Sequence, residues 1–284
     1  MEGPAVRVMR LFRHDMRNGW LLSFPFVLIS AILAAFILFG SYASGADWGI
    51  DASSFSLGDN IAYLLGGSAE YMYRAGLPFT PPVAWLLLIA LMCACTLAFP
   101  YRDLMGPGRL HLIAVGRRRR WWAAMCFWVG ATLTLFWAVI LGACLVKTLV
   151  DGSRLSLVVH PSALIAAQAD SSMLADSPVD GSMLVSCFIV MGFALSYLQL
   201  FLSFFIGPTQ SFVCLLAVYI ASAYKQSPLL VGNYLMADRW GGLVAGGVDS
   251  GWGLVLGGVI IAVSVVLGGL YFKRFDVLDK ELNV

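Results

Sequence analysis

Five stretches of this chain run for seventeen residues or more without a single Asp, Glu, Lys, Arg or His: Trp20 to Phe39, Pro82 to Ala98, Trp122 to Val146, Met183 to Ile206 and Trp252 to Phe272. A helix of about 20 apolar residues crosses the roughly 30 Å hydrocarbon core of a bilayer, and inside that core each backbone polar group needs a partner within the protein. Few folds satisfy both conditions. The expectation is an all-α, polytopic integral membrane protein, with residues 1–284 forming one transmembrane domain. A sixth apolar stretch, Gln210 to Ala223, is short. Met183 to Ala223 as a whole is too long for one crossing, and Gly207-Pro208 divides it into two helices joined by a tight turn. Six spans are therefore predicted, at about 20–39, 82–98, 122–146, 183–206, 210–223 and 252–272.

Composition agrees with that reading. The 284 residues are 60% hydrophobic and 12% charged, whereas a soluble domain carries roughly 25% charged residues. The net charge of +2 lacks the basic excess of a nucleic-acid binder. What matters is how the charges are distributed, because Lys and Arg are retained in cytoplasmic loops. Arg7, Arg10, Arg13 and Arg17 precede the first span; Arg102, Arg109 and Arg117 to Arg120 lie between the second and third; Lys273, Arg274 and Lys280 follow the last. These are thirteen of the eighteen basic residues. The alternate loops, 41–81, 147–182 and 224–251, hold ten of the sixteen acids. Both termini are therefore expected in the cytoplasm, with those three loops external.

A cleaved signal peptide competes for the first forty residues, but its apolar core is typically about 7–15 residues long, shorter than Trp20 to Phe39. All six cysteines, Cys93, Cys95, Cys126, Cys144, Cys187 and Cys214, fall in predicted spans. They read as small apolar side chains rather than as a secreted disulfide framework.

Proton pumps, ion-coupled transporters and haem proteins place ionisable or imidazole groups inside the bilayer. The predicted spans hold none, and His14, His111 and His160 lie outside them. There is no His-Glu-x-x-His metal site, no Gly-x-Ser-x-Gly elbow and no Gly-Lys-Ser/Thr phosphate loop. No catalytic, metal or cofactor residues are assigned, and an enzyme is not expected. Directional work by such a chain has to be driven by another subunit.

The cytoplasmic segments are the more informative. Within residues 1–19, helical spacing puts Ala5, Val8, Met9, Phe12 and Met16 on one face and arginines on the rest, as in an amphipathic helix lying at the inner headgroup layer. In the loop 99–121, Gly106, Pro107 and Gly108 break the preceding helix, and Gly116 closes the short segment Arg109, Leu110, His111, Leu112, Ile113, Ala114, Val115. A short helix here presents Leu110, Leu112 and Ile113 to the cytoplasm and needs a protein surface to bury them. Arg117 to Arg120 with Trp121 and Trp122 also suit plain anchoring at the interface.

With these motifs in view, the sequence resembles the permease subunits of bacterial type-2 ATP-binding-cassette (ABC) exporters, and more narrowly their compact six-span forms. The resemblance rests on Ser56-Leu-Gly-Asp-Asn-Ile-Ala-Tyr-Leu-Leu-Gly-Gly67, Pro82-Val-Ala-Trp85, Tyr101-Arg-Asp-Leu-x-Gly-x-Gly108 continuing to Gly116-Arg-Arg-Arg-Arg-Trp-Trp122, and Gly232-Asn-Tyr-Leu-Met-Ala-Asp-Arg239. It implies a permease in the bacterial cytoplasmic membrane that pairs with a second permease chain as a homo- or heterodimer. It also implies that Arg109 to Val115 is a coupling helix docking on cytoplasmic ABC ATPase subunits. Such relatives often carry large external domains, which the loops here are too short to form.

A path for cargo needs weakly polar residues on one helix face. Ser196, Gln199 and Ser203, at i, i+3 and i+7 of the fourth span, form such a stripe, although interhelical hydrogen bonding is the commoner use of such residues. Gly253 and Gly257 have the spacing of a close helix crossing, and Leu229 to Val248 suits a broken hairpin re-entering the outer leaflet if its backbone is buried in protein. The uncharged spans favour a hydrophobic or amphipathic cargo: peptide, lipid or drug. The competing class is a non-transporting membrane scaffold or immunity-type protein, which needs the spans but not an apolar cytoplasmic helix.

Overall fold

The computed structural model describes residues 4–47, 55–73, 78–106, 118–161, 174 and 177–274, with side chains over 19–40 of the first helix. Among the described residues it holds seven α-helices: α1 (Pro4–Asp47), α2 (Leu57–Leu64), α3 (Val83–Met105), α4 (Arg118–Val150), α5 (Ser182–Ile206), α6 (Pro208–Tyr224) and α7 (Ser250–Arg274). Two 3-10 helices, Val231–Leu235 and Ala237–Arg239, lie between α6 and α7. The two-residue strands β1 (Val158–Val159) and β2 (Val179–Asp180) pair antiparallel, with Val158 opposite Asp180. Five helices contain segments long and apolar enough to cross a membrane, whereas α6 has 17 residues. By length and composition this is a multi-pass helical membrane protein.

The helices run past the limits read from hydropathy, since apolarity marks the lipid-facing part of a helix and not its hydrogen-bonded ends. The backbone of α1 is helical from Pro4 through Asp47, so residues 4–19 continue the helix of the first span without a break; the side chains of 4–18 lie outside the described residues. At 33 residues, α4 is about 50 Å long at 1.5 Å per residue and overreaches a bilayer core.

The middle of the bundle is α5. Its buried positions Leu184, Cys187, Phe188, Met191, Leu195, Gln199 and Phe204 keep helical spacing, and it packs against α3, α4, α6 and α7. Half of the most apolar window of α3 and of α5 is buried, against 28% for α1 and 22% for α7. The outer helices accordingly present Phe24, Leu28, Ile32 and Phe36 on α1, and Val255, Val259, Val263 and Val266 on α7. In water such faces would force association; against lipid tails they carry no such penalty. On α7, a Cβ at Gly253 would stand 2.6 Å from the Cys187 sulfur, and one at Gly257 2.9 Å from Val190. The paired glycines thus let α7 cross α5 closely. At the α5–α6 turn Gly207 has φ +93°, and Pro208 opens α6 where an N–H would lack a helical partner.

The described parts of the three loops, 55–73 with 78–81, 151–161 with 177–181, and 225–249, come together at one end of the bundle as a cap. Leu57 and Gly58 donate backbone hydrogen bonds to the Arg154 and Ser156 carbonyls (3.0 and 2.9 Å), while Ala237 and Asp238 donate to Leu65 and Gly66 (2.9 and 3.0 Å). A Cβ at Gly58 would lie 2.5 Å from the Leu157 carbonyl oxygen, so only glycine lets α2 approach so closely. The helix α2 was not anticipated. Its signal is the capping box, in which the Ser56 hydroxyl accepts from the Asp59 N–H and the Asp59 carboxylate accepts from the Ser56 N–H.

Candidate functional site

The polar stripe of α5 faces inward, and all three of its side chains are buried. Gln199 donates through Nε2 to the Cys93 carbonyl of α3 (3.2 Å), and Ser203 donates to the Leu200 carbonyl of its own helix (2.7 Å). The Ser196 hydroxyl and Gln199 Oε1 have no hydrogen-bond partner among the described residues, nor does the Trp137 indole nitrogen of α4. Close by, the Cys93 thiol and Tyr219 hydroxyl meet at 3.2 Å, linking α3 to α6. Here α3, α4, α5 and α6 meet through weakly polar groups in an otherwise apolar interior.

At the end opposite the cap, aromatic rings tie four helices together. Trp122 of α4 stacks on Phe272 of α7 at 5.2 Å, Phe204 of α5 meets Phe272 edge-on at 4.8 Å, and Trp121 packs against both phenylalanines. The Trp122 N–H donates to the Val265 carbonyl (2.9 Å), and the Trp121 N–H donates to the Asp103 carboxylate at the end of α3 (2.8 Å). A Cβ at Gly268 would stand 2.0 Å from the Trp122 ring, so the indole lies directly on the α7 backbone. The chain leaves this girdle after α3 and re-enters it at α4. The segment in between includes Arg109 to Val115, which lies outside the described residues.

The cap holds charged groups in unusually buried positions. Asp59, fully buried, accepts from the backbone N–H of His160 (2.6 Å), and its second oxygen lies 2.7 Å from His160 Nδ1. The Asn60 amide donates to the Thr148 hydroxyl (2.9 Å), fastening α2 to the end of α4. Beside it Lys147 and Asp151 form an i, i+4 ion pair, with the ammonium 5.6 Å from the Phe39 ring centre. Arg239 is fully buried. Its Nε donates to the Ser68 carbonyl (2.9 Å), Nη2 to the Ala223 and Ala69 carbonyls (2.7 and 3.2 Å), and Nη1 to the Ser222 carbonyl and Asn233 Oδ1. Burial lowers its pKa to about 10 against the supporting charges of Glu70 and Asp238, so it stays protonated near neutrality. The neighbouring Asp238 is 2% exposed, and its Oδ1 has no partner among the described residues. Burial pushes that carboxyl up to about 7, with the Arg239 charge opposing the shift.

No protein-family model, curated protein or solved structure matches the chain. Function has therefore to be argued from these sites. Of the residues singled out in the sequence, the structure buries Ser196, Gln199 and Ser203 within the bundle, and Gln199 alone among them bonds to α3. Arg239, Asp238 and Asn233 were not singled out as a site. Three polar side chains inside the apolar stretch Leu229 to Val248 were the available signal, because ionisable groups within such a stretch need local partners.

Proposed function

We propose that this chain is the permease subunit of an ABC exporter, with six spans, both termini in the cytoplasm of a bacterial cell and the cap outside. It works beside a second permease chain, identical or related, and draws its energy from ATPase subunits on separate polypeptides. The observation that carries this reading is the division of the bundle into two unlike ends. The described parts of the three acid-rich loops assemble into one cap, and at the other end a girdle spanning four helices holds the ends of α3 and α4 that flank the basic loop. A push delivered to Arg109 to Val115 would reach α3, α4, α5 and α7 together, the rigid-body transmission that alternating access requires.

On this reading α6 is the sixth span. Its 17 residues, about 26 Å at 1.5 Å each, return from the turn after α5 to the cap, where Arg239 binds the carbonyls of Ser222 and Ala223. The uncharged, weakly polar interior favours a hydrophobic or amphipathic cargo such as a peptide, lipid or drug. Ser196, Gln199 and Ser203 are buried in the state described, with Gln199 bonded to α3, and would join the path only where the helices part.

Detergent extraction of the tagged chain from its native membrane tests the reading. An ATPase subunit is expected to copurify, and the paired change Leu112→Asp and Ile113→Asp is expected to release it while the chain still inserts. Association that survives the double change sinks the docking site. Purification of stable chain with no ATPase in any stoichiometry sinks the exporter reading and favours a scaffold or immunity-type protein.

A further inference from the structure

The cap closes over the external ends of α3, α5 and α6, and one side chain binds its parts together. Arg239 is enclosed by the carbonyl oxygens of Ser68, Ala69, Ser222 and Ala223 and the amide oxygen of Asn233. Ser68 and Ala69 belong to the first external loop, Ser222 and Ala223 are the last turn of α6, and Asn233 is in the first 3-10 helix. The carbonyls at a helix C-terminus have no partner within the helix and attract a cation. One planar guanidinium with its five N–H groups thus satisfies five acceptors drawn from three separate segments, two more than the three donors of a lysine ammonium can serve. No carboxylate hydrogen-bonds to it among the described residues: its N–H groups all go to neutral oxygens, and Glu70 and Asp238 act on it through their charge alone.

Beneath this knot the 3-10 segment seals the bundle. The Trp85 indole of α3 donates to the Leu235 carbonyl (2.7 Å), and the Cys187 thiol of α5 points at the Tyr234 carbonyl (3.8 Å). Asn233 is braced by its own amide, which donates to the Lys225 and Ser227 carbonyls (3.3 and 2.8 Å). Cys187 is buried directly under the cap, between Tyr234 and the α7 backbone at Gly253.

We propose that Arg239 is the latch of an external gate: its guanidinium, seated in a cage of five oxygens, holds 231–239 shut over the outer end of the bundle, and its withdrawal opens that end. The gating role rests on the exporter reading, since cargo leaving outward has to pass this cap. The latch itself is a property of the cap and holds whatever drives the protein. Arg239 is accordingly a positioning residue, acting through the segment it fastens.

Cys187 is a built-in reporter. Cells or right-side-out vesicles bearing the chain are treated with a charged, membrane-impermeant methanethiosulfonate, and labelled cysteines are located by peptide mass mapping. In the wild-type chain Cys187 is expected to stay protected. In Arg239→Ala its labelling is expected to be faster by about tenfold or more, the factor that loss of a single charge-assisted hydrogen bond represents, while Cys93, deep between α3 and α6, stays protected. Added guanidinium ion, which fits the emptied cage, is expected to restore protection of Cys187; a merely misfolded cap would not respond to it. Cys187 that remains protected in Arg239→Ala, or whose exposure guanidinium leaves unchanged, overturns the latch. Should Arg239→Ala expose Cys93 as well, Arg239→Lys decides: selective exposure of Cys187 supports the latch and wild-type protection overturns it. Copurification of an ATPase with the same variants is scored separately. Its absence refutes the exporter reading without touching the thiol result.

Discussion

The carboxyl of Asp238 makes the cap sensitive to pH in a direction fixed by its burial. In the closed cap its pKa is about 7, well above the 3.8 of a hydrated carboxyl. When the cap opens the carboxyl meets water and returns toward the lower value. Because the closed-state pKa is the higher one, the closed form binds the proton more tightly. Closure is therefore most favourable below the open-state value, weakens as pH rises between the two values, and changes no further well above the upper one. A separation of roughly 3 units sets a ceiling of about 4 kcal/mol, and the portion falling between about pH 5 and about pH 8 is about 2–3 kcal/mol. Amide hydrogen exchange reads this directly, because Ala237 and Val248 donate to the Leu65 and Arg239 carbonyls only while the cap is closed. After correction for the intrinsic pH dependence of exchange, their opening equilibrium is expected to rise roughly 30- to 140-fold over that interval. The isosteric change Asp238→Asn removes the ionisation and is expected to flatten the profile near the low-pH level of the wild type. Because the difference between the two proteins isolates Asp238, titration elsewhere in the cap does not enter it. A profile that rises with the opposite sign, or an equal slope in Asp238→Asn, refutes the reasoning.

Two further outcomes follow from packing. Ser196→Ala removes a buried hydroxyl with no partner among the described residues and is expected to leave thermal stability in detergent unchanged or raise it by up to about 1 kcal/mol; a loss larger than that would show that the hydroxyl has a partner in the folded protein. Gly58→Ala drives a methyl group to within 2.5 Å of the Leu157 carbonyl, which is backbone and cannot turn aside. It is expected to cost about 1–3 kcal/mol of overpacking and to speed exchange at the Leu57 N–H before any other helix loosens; wild-type exchange there would refute the close approach.

The long apolar helices were legible because a lengthy uncharged run suits a helix whose backbone groups are paired internally, so Trp20, Trp122, Met183 and Trp252 all fall inside observed helices. Helix ends were less legible. The span read from the sequence ends at Ala98, yet hydrogen bonding carries α3 on to Met105, past Arg102 and Asp103. Least legible was the cap, and the reason is physical: its structure rests on long-range hydrogen bonds such as Arg239 to Ser68 and His160 to Asp59, between residues that no periodicity relates. The capping box Ser56 to Asp59 was a local signal of α2; the cage around Arg239 had none beyond three polar side chains, Asn233, Asp238 and Arg239, in an apolar stretch.

That difference bears on how the two ends of the bundle can move. The girdle joins its helices through ring packing that involves Trp121, Trp122, Phe204 and Phe272 at once, and dense packing of this kind shifts as a unit. The cap joins its loops through hydrogen bonds converging on one guanidinium, and such a knot is released at a single point. A displacement entering at the girdle would therefore pass along α5 and α7 as rigid rods and be relieved where the cap yields. On this account Trp121→Ala should loosen the four helices together, whereas Arg239→Ala should free the cap and leave the girdle intact.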